Sequence, residues 1–336
     1  MIVDLYTTCP SAYQGTDPNT YIETVRKVSR WSDQAGCRGM LVYTENNLLD
    51  AWLISQIVIQ STSRLSPLVA VQPVYSHPYT LAKLVSSLGY LYGRRVSLNM
   101  VAGGFKNDLA ALGDSTPHDR RYDRLVEYTT VVMRLLAGGP PVTFTGEFYQ
   151  VEKCSLKPSL PEELLPIITI SGSSPAGMAA ARQLNAIAVR YPEPPEQCAA
   201  EPKIVKSCGI RVGIIAREDE EEAWQIAHHR FPPDRGGQIT HKLAMSTSDS
   251  FWHNRLSKLG GAETQQDFRS TYWLAPFENY KTFAPFLVGS YTQVAEQLSR
   301  YMAAGYSTFI TEVPETETDL LHIRQAFEYA ENRVAA

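Results

Sequence analysis

The chain has 336 residues, 44% hydrophobic and 20% charged, with a formal net charge of −4. That balance supports a large buried core, and a slightly acidic chain with no Lys/Arg-rich run has no electrostatic footprint for nucleic acid or anionic lipid. Its five cysteines, Cys9, Cys37, Cys154, Cys198 and Cys208, are scattered and odd in number, which argues against a disulfide framework and for a reduced, cytoplasmic setting.

The opening "MIVDLYTTCPS" has no basic leader and too short an apolar run to span a membrane, so it reads as a strand that begins at once. Strands are predicted over 2–8, 39–44, 66–72, 94–102, 165–171, 186–191, 208–216 and 307–313. Helical patterns lie between and after them, over 18–36, 49–63, 78–89, 117–137, 174–184, 196–206, 218–230, 290–304 and 315–333. Eight strands separated by helices predict an α/β fold, a (β/α)8 TIM barrel forming one domain over 1–336. An open doubly wound sheet is disfavoured, because no GxGxxG follows the first strand and no GxxxxGK[ST] occurs.

Two segments exceed a bare barrel. The alternating "VTFTGEFYQV" within 138–164 predicts a small strand pair after the fourth helix. The second, 231–288, follows the seventh helix and is aromatic and polar; its Trp273, Phe277, Tyr280 and Phe283 read as a lid or an interface surface.

In "STPHDRRYDRL" (115–125), Thr116 is expected to be the N-cap, Pro117 the first helical residue and Asp119 the end of a capping box, with His118 and Tyr122 on one helix face. After the fifth strand, "ISGSSPAGM" offers a tight turn at Gly172, hydroxyls at Ser173 and Ser174, and a helix start at Pro175. In a parallel barrel the ends of strands four and five are neighbours on the ligand-binding face, so the two helix starts together suggest a phosphate-bearing cofactor or substrate. In "CGIRVGIIA" (208–216), strand alternation sets Gly209, Arg211 and Gly213 on one small, polar face. Arg211 either pairs with a carboxylate at the barrel mouth or serves a site. His77 is expected to start the third helix, and His228, His229, His241, His253 and His322 to be surface or packing residues. No histidine pair has metal-ligand spacing, and no metal is expected.

The pieces "LLDAW" (48–52), "LVAVQP" (68–73), "LNMVAGG" (98–104), "HDRRYDRLVEY" (118–128), "LLAGGPPVTFTGEFYQV" (135–151), "ISGSSP" (170–175), "YPEPPEQ" (191–197), "GIRVGIIAREDEEEAW" (209–224) and "LVGSYTQVAEQL" (287–298) occur in order. Together they resemble the bacterial luciferase-like flavin monooxygenases, most closely the alkanesulfonate monooxygenase branch. The resemblance implies a homodimer or homotetramer that uses FMN, reduced by a separate NAD(P)H:flavin reductase, and O2. Through a C4a-peroxyflavin it would oxygenate a small organic metabolite. Desulfonation, deazaflavin-dependent hydride transfer and non-catalytic flavin binding are the alternatives. It also implies that His118, Tyr122, Ser173 and Ser174 hold the phosphate, and that Ala70, Asn99 and Val101 meet the isoalloxazine, with a non-prolyl cis peptide at Ala70-Val71. Arg211 would face flavin and substrate, and Tyr191 replaces a family Trp. Gly213 stands where the sulfonate branch has a His, and Leu48 where it has a Cys, changes expected to enlarge the pocket. Asn46, with its neighbours Glu45 and Asn47, is either a substitute acid/base or a helix cap.

Overall fold

The computed structural model describes residues 3–12, 15–198, 207–248, 250–263 and 269–335. Its strands are β1 (Asp4–Thr8), β2 (Gly39–Val42), β3 (Ser66–Val71), β4 (Ser97–Val101), β5 (Val142–Thr145), β6 (Gln150–Cys154), β7 (Ile168–Ser171), β8 (Ile187–Arg190), β9 (Cys208–Arg211), β10 (Gly213–Arg217), β11 (Tyr272–Trp273), β12 (Phe286–Ser290) and β13 (Tyr306–Ile310). Eight of them close a parallel barrel in the order β1-β13-β9-β8-β7-β4-β3-β2, so the predicted (β/α)8 architecture is present. By internal contacts the chain divides into two compact units, Cys9–Ala188 and Met1–Thr8 with Val189–Ala336.

In the Cys9–Ala188 unit, β2, β3, β4 and β7 pair in unbroken parallel register, as in Leu41↔Leu68, Ala70↔Asn99 and Asn99↔Thr169. Strands covered on both faces need no polar side, which is why "GMLV" and "LVAV" are continuous apolar runs. Caps set the helix starts. Asp50 accepts from the N–H groups of Trp52 and Leu53 at 2.9 and 3.2 Å, and His77 accepts from Tyr79 N–H at 3.2 Å through Nδ1, as its place before the third helix suggested. The hairpin β5–β6 is antiparallel as expected. Its turn is fastened to the helix His118–Leu136 by Glu127, whose carboxylate accepts from the N–H groups of Glu147, Phe148 and Tyr149 at 2.9, 2.8 and 3.1 Å.

In the other unit, β13 pairs with β1 and β9, with Ile310 opposite Arg211. The predicted strand 208–216 is two strands. Val212 N–H still bonds Ile310 O at 3.0 Å, but Gly213 N–H bonds Pro285 O at 2.8 Å, and β10 joins a separate sheet in the order β10-β12-β11. Both pieces are buried on both faces, so the apolar pattern runs through the break without marking the change of partner. A buried ion network ties this second sheet down: Asp319 accepts from Arg217 and Arg230, each at 2.7 Å. The segment 231–288 supplies helices Arg235–Thr247, Phe251–Glu263 and Ala275–Glu278 besides β11 and the start of β12. The helix expected over 196–206 is present as Pro195–Cys198, and 199–206 lie outside the described residues. No helix among the described residues is long and apolar enough to cross a membrane.

Candidate active site

The two helix starts singled out in the sequence meet in the Cys9–Ala188 unit. Ser174 is the N-cap of the helix Pro175–Gln183, its Oγ accepting from Gly177 N–H at 3.1 Å. Tyr122 reaches this N-terminus from the helix His118–Leu136 and lies so close to Gly172 that any Cβ there would overlap its hydroxyl; a Cβ on Gly177 would stand 3.1 Å from its ring. His118 packs edge-on against Tyr122, with ring centroids 5.4 Å apart, and its Nδ1 is 2.7 Å from Asp119 Oδ1, leaving Nε2 for a ligand. Ser173 is half-buried with no partner among the described residues. Imidazole, phenol and serine hydroxyls around a helix N-terminus match the donor set an anionic phosphate requires, so these residues fit the phosphate end of FMN.

The cap of the other helix differs from expectation. Pro117 occupies the N-cap position without a side-chain bond, and Asp119 is engaged by His118 instead of closing a capping box. Asp114 does the fastening, accepting from Thr116 Oγ1 at 2.6 Å and Arg124 Nη2 at 2.7 Å. Burial alone would raise the Asp114 carboxyl, but the bonds from Arg124 and Thr116 outweigh it and hold it at about 2. The displacement follows from proline, which has no side-chain acceptor but is well placed to lead into a helix.

On β4, Asn99 is 4% exposed, and its Oδ1 accepts from Thr169 Oγ1 at 2.8 Å and Ser171 Oγ at 2.9 Å. Two hydroxyl donors fix the carboxamide and leave Nδ2 as the donor for a ligand. Ala70 is its register partner on β3, and Val101, two residues on, faces Ser171 across the β4–β7 ladder. The Ala70-Val71 peptide is trans, and the cis bond among the described residues is Lys157-Pro158. The unbroken ladder from Val69↔Val42 to Val71↔Met100 has no place for a reversed peptide. Asn46 is exposed and occupied at both ends, donating to Asp108 O at 3.0 Å and accepting from Tyr75 Oη at 2.8 Å. An amide so tied holds a loop, whereas the adjacent Glu45 carboxyl is raised by burial and by the charge of Asp108.

In the other unit, Arg211 is 3% exposed and donates to Glu312 Oε1 at 2.6 Å and to Tyr191 Oη at 3.0 Å, so its charge is balanced within the protein. Tyr191 keeps its own proton, because burial and the Glu312 charge both push its phenol up. Its ring is covered by Trp252, stacked at 3.6 Å between centroids and tilted 17°. From the same insertion helix, one turn on, Arg255 pairs with the buried Glu193. Glu312, Trp252 and the Arg255–Glu193 pair escaped the sequence reading. The Trp252/Arg255 spacing of three, opposite Tyr191 and Glu193 spaced by two, was the signal available.

Gly213 opens no space beside Arg211. It belongs to β10, and the ring of its register partner Phe286 fills the position its side chain would take. Two of the four insertion aromatics are packed within their own unit. Trp273 packs on the buried cluster of Ile215, Trp224 and Phe286, and Phe277 is 1% exposed. Among the described residues no group of three or more His, Cys, Asp and Glu could hold a metal ion.

Comparison with known proteins shows the family and the fold. The family model for luciferase-like monooxygenase matches residues 4–308. The chain is 34% identical over 340 residues to 4-(γ-L-glutamylamino)butanoyl-[BtrI acyl-carrier protein] monooxygenase BtrO of Niallia circulans, covering 99% of this chain and 98% of that one. Its fold is similar to riboflavin lyase RcaE, with TM-score 0.78, 15% identity and coverage of 100% and 93% of the two chains. The same holds for the oxygenating constituent of 3,6-diketocamphane monooxygenase from Pseudomonas putida, with TM-score 0.71, 16% identity and coverage of 100% and 98%. The chain belongs to the luciferase-like monooxygenase family and is a monooxygenase.

Proposed function

We propose that this enzyme takes reduced FMN from a separate NAD(P)H:flavin reductase and, with O2, oxygenates a small acyl metabolite delivered on an acyl-carrier protein. The observation that carries the flavin assignment is the cradle at Gly172, where Tyr122, Ser174 and the helix N-terminus converge. The substrate class is carried over from BtrO, whose name states an acyl-carrier-protein-bound substrate and which matches over nearly the whole chain.

When bound, reduced FMN supplies the two electrons with which one oxygen atom enters the substrate and the other leaves as water. His118, Tyr122, Ser173 and Ser174 would hold the phosphate; Asn99, its Oδ1 held by Thr169 and Ser171, would donate to the ring system through Nδ2, with Ala70 and Val101 beside it. Arg211 positions the Glu312 carboxylate and the Tyr191 hydroxyl, which stays protonated as a hydrogen-bond donor. Trp252 covers Tyr191 and keeps water from it. Desulfonation is the weaker reading, since Gly213 offers no imidazole and the ring of Phe286 fills the place of its side chain.

The test is aerobic turnover with FMN, a generic flavin reductase and the acyl group as carrier-bound and free thioester, read by mass spectrometry for a gain of one oxygen atom. Gain in the wild type that disappears in Arg211→Ala and persists in the control His229→Ala supports the reading. Oxygenation unchanged in Arg211→Ala removes that group from the site.

A further inference from the structure

We infer that the outward face of the insertion helix Arg235–Thr247, continued by Phe251 and Lys258 of the next helix, docks an acidic acyl-carrier protein. This rests on the reading above that the substrate arrives tethered. Arg235, Ile239, Lys242 and Leu243 recur at the spacing of one helical stripe, with Ile239 56% and Leu243 65% exposed. The opposite side of the helix is spoken for, since His241 is buried edge-on against Phe277. Ile239 and Leu243, one turn apart on that face, leave two adjacent apolar side chains open to solvent.

Charge selects the partner. From 235 to 260 the sequence carries Arg235, Lys242, Arg255 and Lys258 against Asp249 alone, in a chain whose net charge is −4. Arg255 is used on Glu193, whereas Arg235, Lys242 and Lys258 pair with no carboxylate among the described residues. Unneutralised cations rimming an apolar pair fit a small, acidic, helical partner and repel a basic one.

The surface also sits where delivery would be useful. His241 Nε2 and Ser257 Oγ, 3.1 Å apart, tie the two helices together, and the second carries Trp252 and Arg255 onto Tyr191 and Glu193. A carrier seated on this face is one helix away from the Arg211 group.

The experiment uses the full chain and, as probe, a holo acyl-carrier protein loaded with a 4-(γ-L-glutamylamino)butanoyl group, with the same acyl pantetheine thioester as untethered control. Carrier binding is measured by calorimetry at low and high salt, separately from turnover. Reversal of charge in the R235E/K242E double variant is expected to weaken carrier binding at least tenfold and flatten its salt dependence. It should raise KM for the tethered substrate while leaving kcat and the pantetheine reaction unchanged; I239S/L243S should raise KM in the same way with the melting temperature retained. Wild-type affinity in both variants, or no carrier binding by the wild type, overturns the docking surface. So does a dimer that dissociates in the variants while carrier affinity holds, because a second copy would then be the occupant. Carrier binding without oxygenation of either thioester keeps the surface and removes the substrate reading.

Discussion

The ring of Phe286 stands where a side chain on Gly213 would begin, within the β10–β12 pair. Phe286 is 4% exposed in a packed cluster with Trp224 and Val288, so it has little room to retreat. Gly213→Ala is expected to destabilise the protein by about 1–3 kcal/mol, the usual cost of overpacking. Denaturant titration checks this, and in a Phe286→Ala background, itself destabilised by the cavity, the added Gly213→Ala should cost little. A Gly213→Ala protein as stable as the wild type would show that the ring yields freely.

The contact of Tyr122 with Gly172 makes a different prediction, on binding. Gly172→Ala displaces the phenol from the helix N-terminus and should lower FMN affinity by roughly tenfold, about 1.4 kcal/mol. Flavin fluorescence quenching measures it. Unchanged affinity would put the phosphate elsewhere.

Asn99 separates orientation from charge. Asn99→Asp keeps an acceptor for Thr169 and Ser171 but loses the Nδ2 donors, so the fold should persist while flavin binding weakens. Asn99→Ala leaves two hydroxyls without their acceptor and should also cost stability, about 1–3 kcal/mol. Thermal melts of both apoproteins distinguish the two effects.

Asp114 predicts an acid response. Its carboxyl is held at about 2 in the folded chain against an ordinary 3.8, a depressed value, so its stabilisation is present above about pH 4 and disappears as pH falls toward 2. After allowance for solvent screening this amounts to about 1–2 kcal/mol. Asp114→Asn should show a shallower fall in stability over that interval. The same slope in both proteins would sink the assignment.

Trp252→Ala removes the cover over Tyr191 without touching Arg211. KM for the substrate should rise several-fold, with FMN affinity unchanged. An effect on FMN affinity equal to that on KM would contradict the division of roles.

Much of the barrel was legible because its strands are apolar runs closed off by capped helices; β2, β3, β4 and β7 fall inside their predicted bounds. The Tyr122–Ser174 meeting was legible too, since both residues sit at helix starts whose turn and capping chemistry is local. What stayed hidden depends on partners distant in sequence. Glu312 lies 101 residues from Arg211, and the fate of Gly213 turns on Phe286. Nothing near either residue announces its partner, and burial on both faces erased the period that would have marked the break at Val212.

That break divides the chain by what each part must conform to. Up to Arg211 the backbone is committed to the ladder with β13, whereas β10, β11 and β12 answer to a sheet of their own. Changes of length between 231 and 271 therefore fall in a segment that follows β9 in the chain, and the register of β9 with β13 does not depend on how long that segment is.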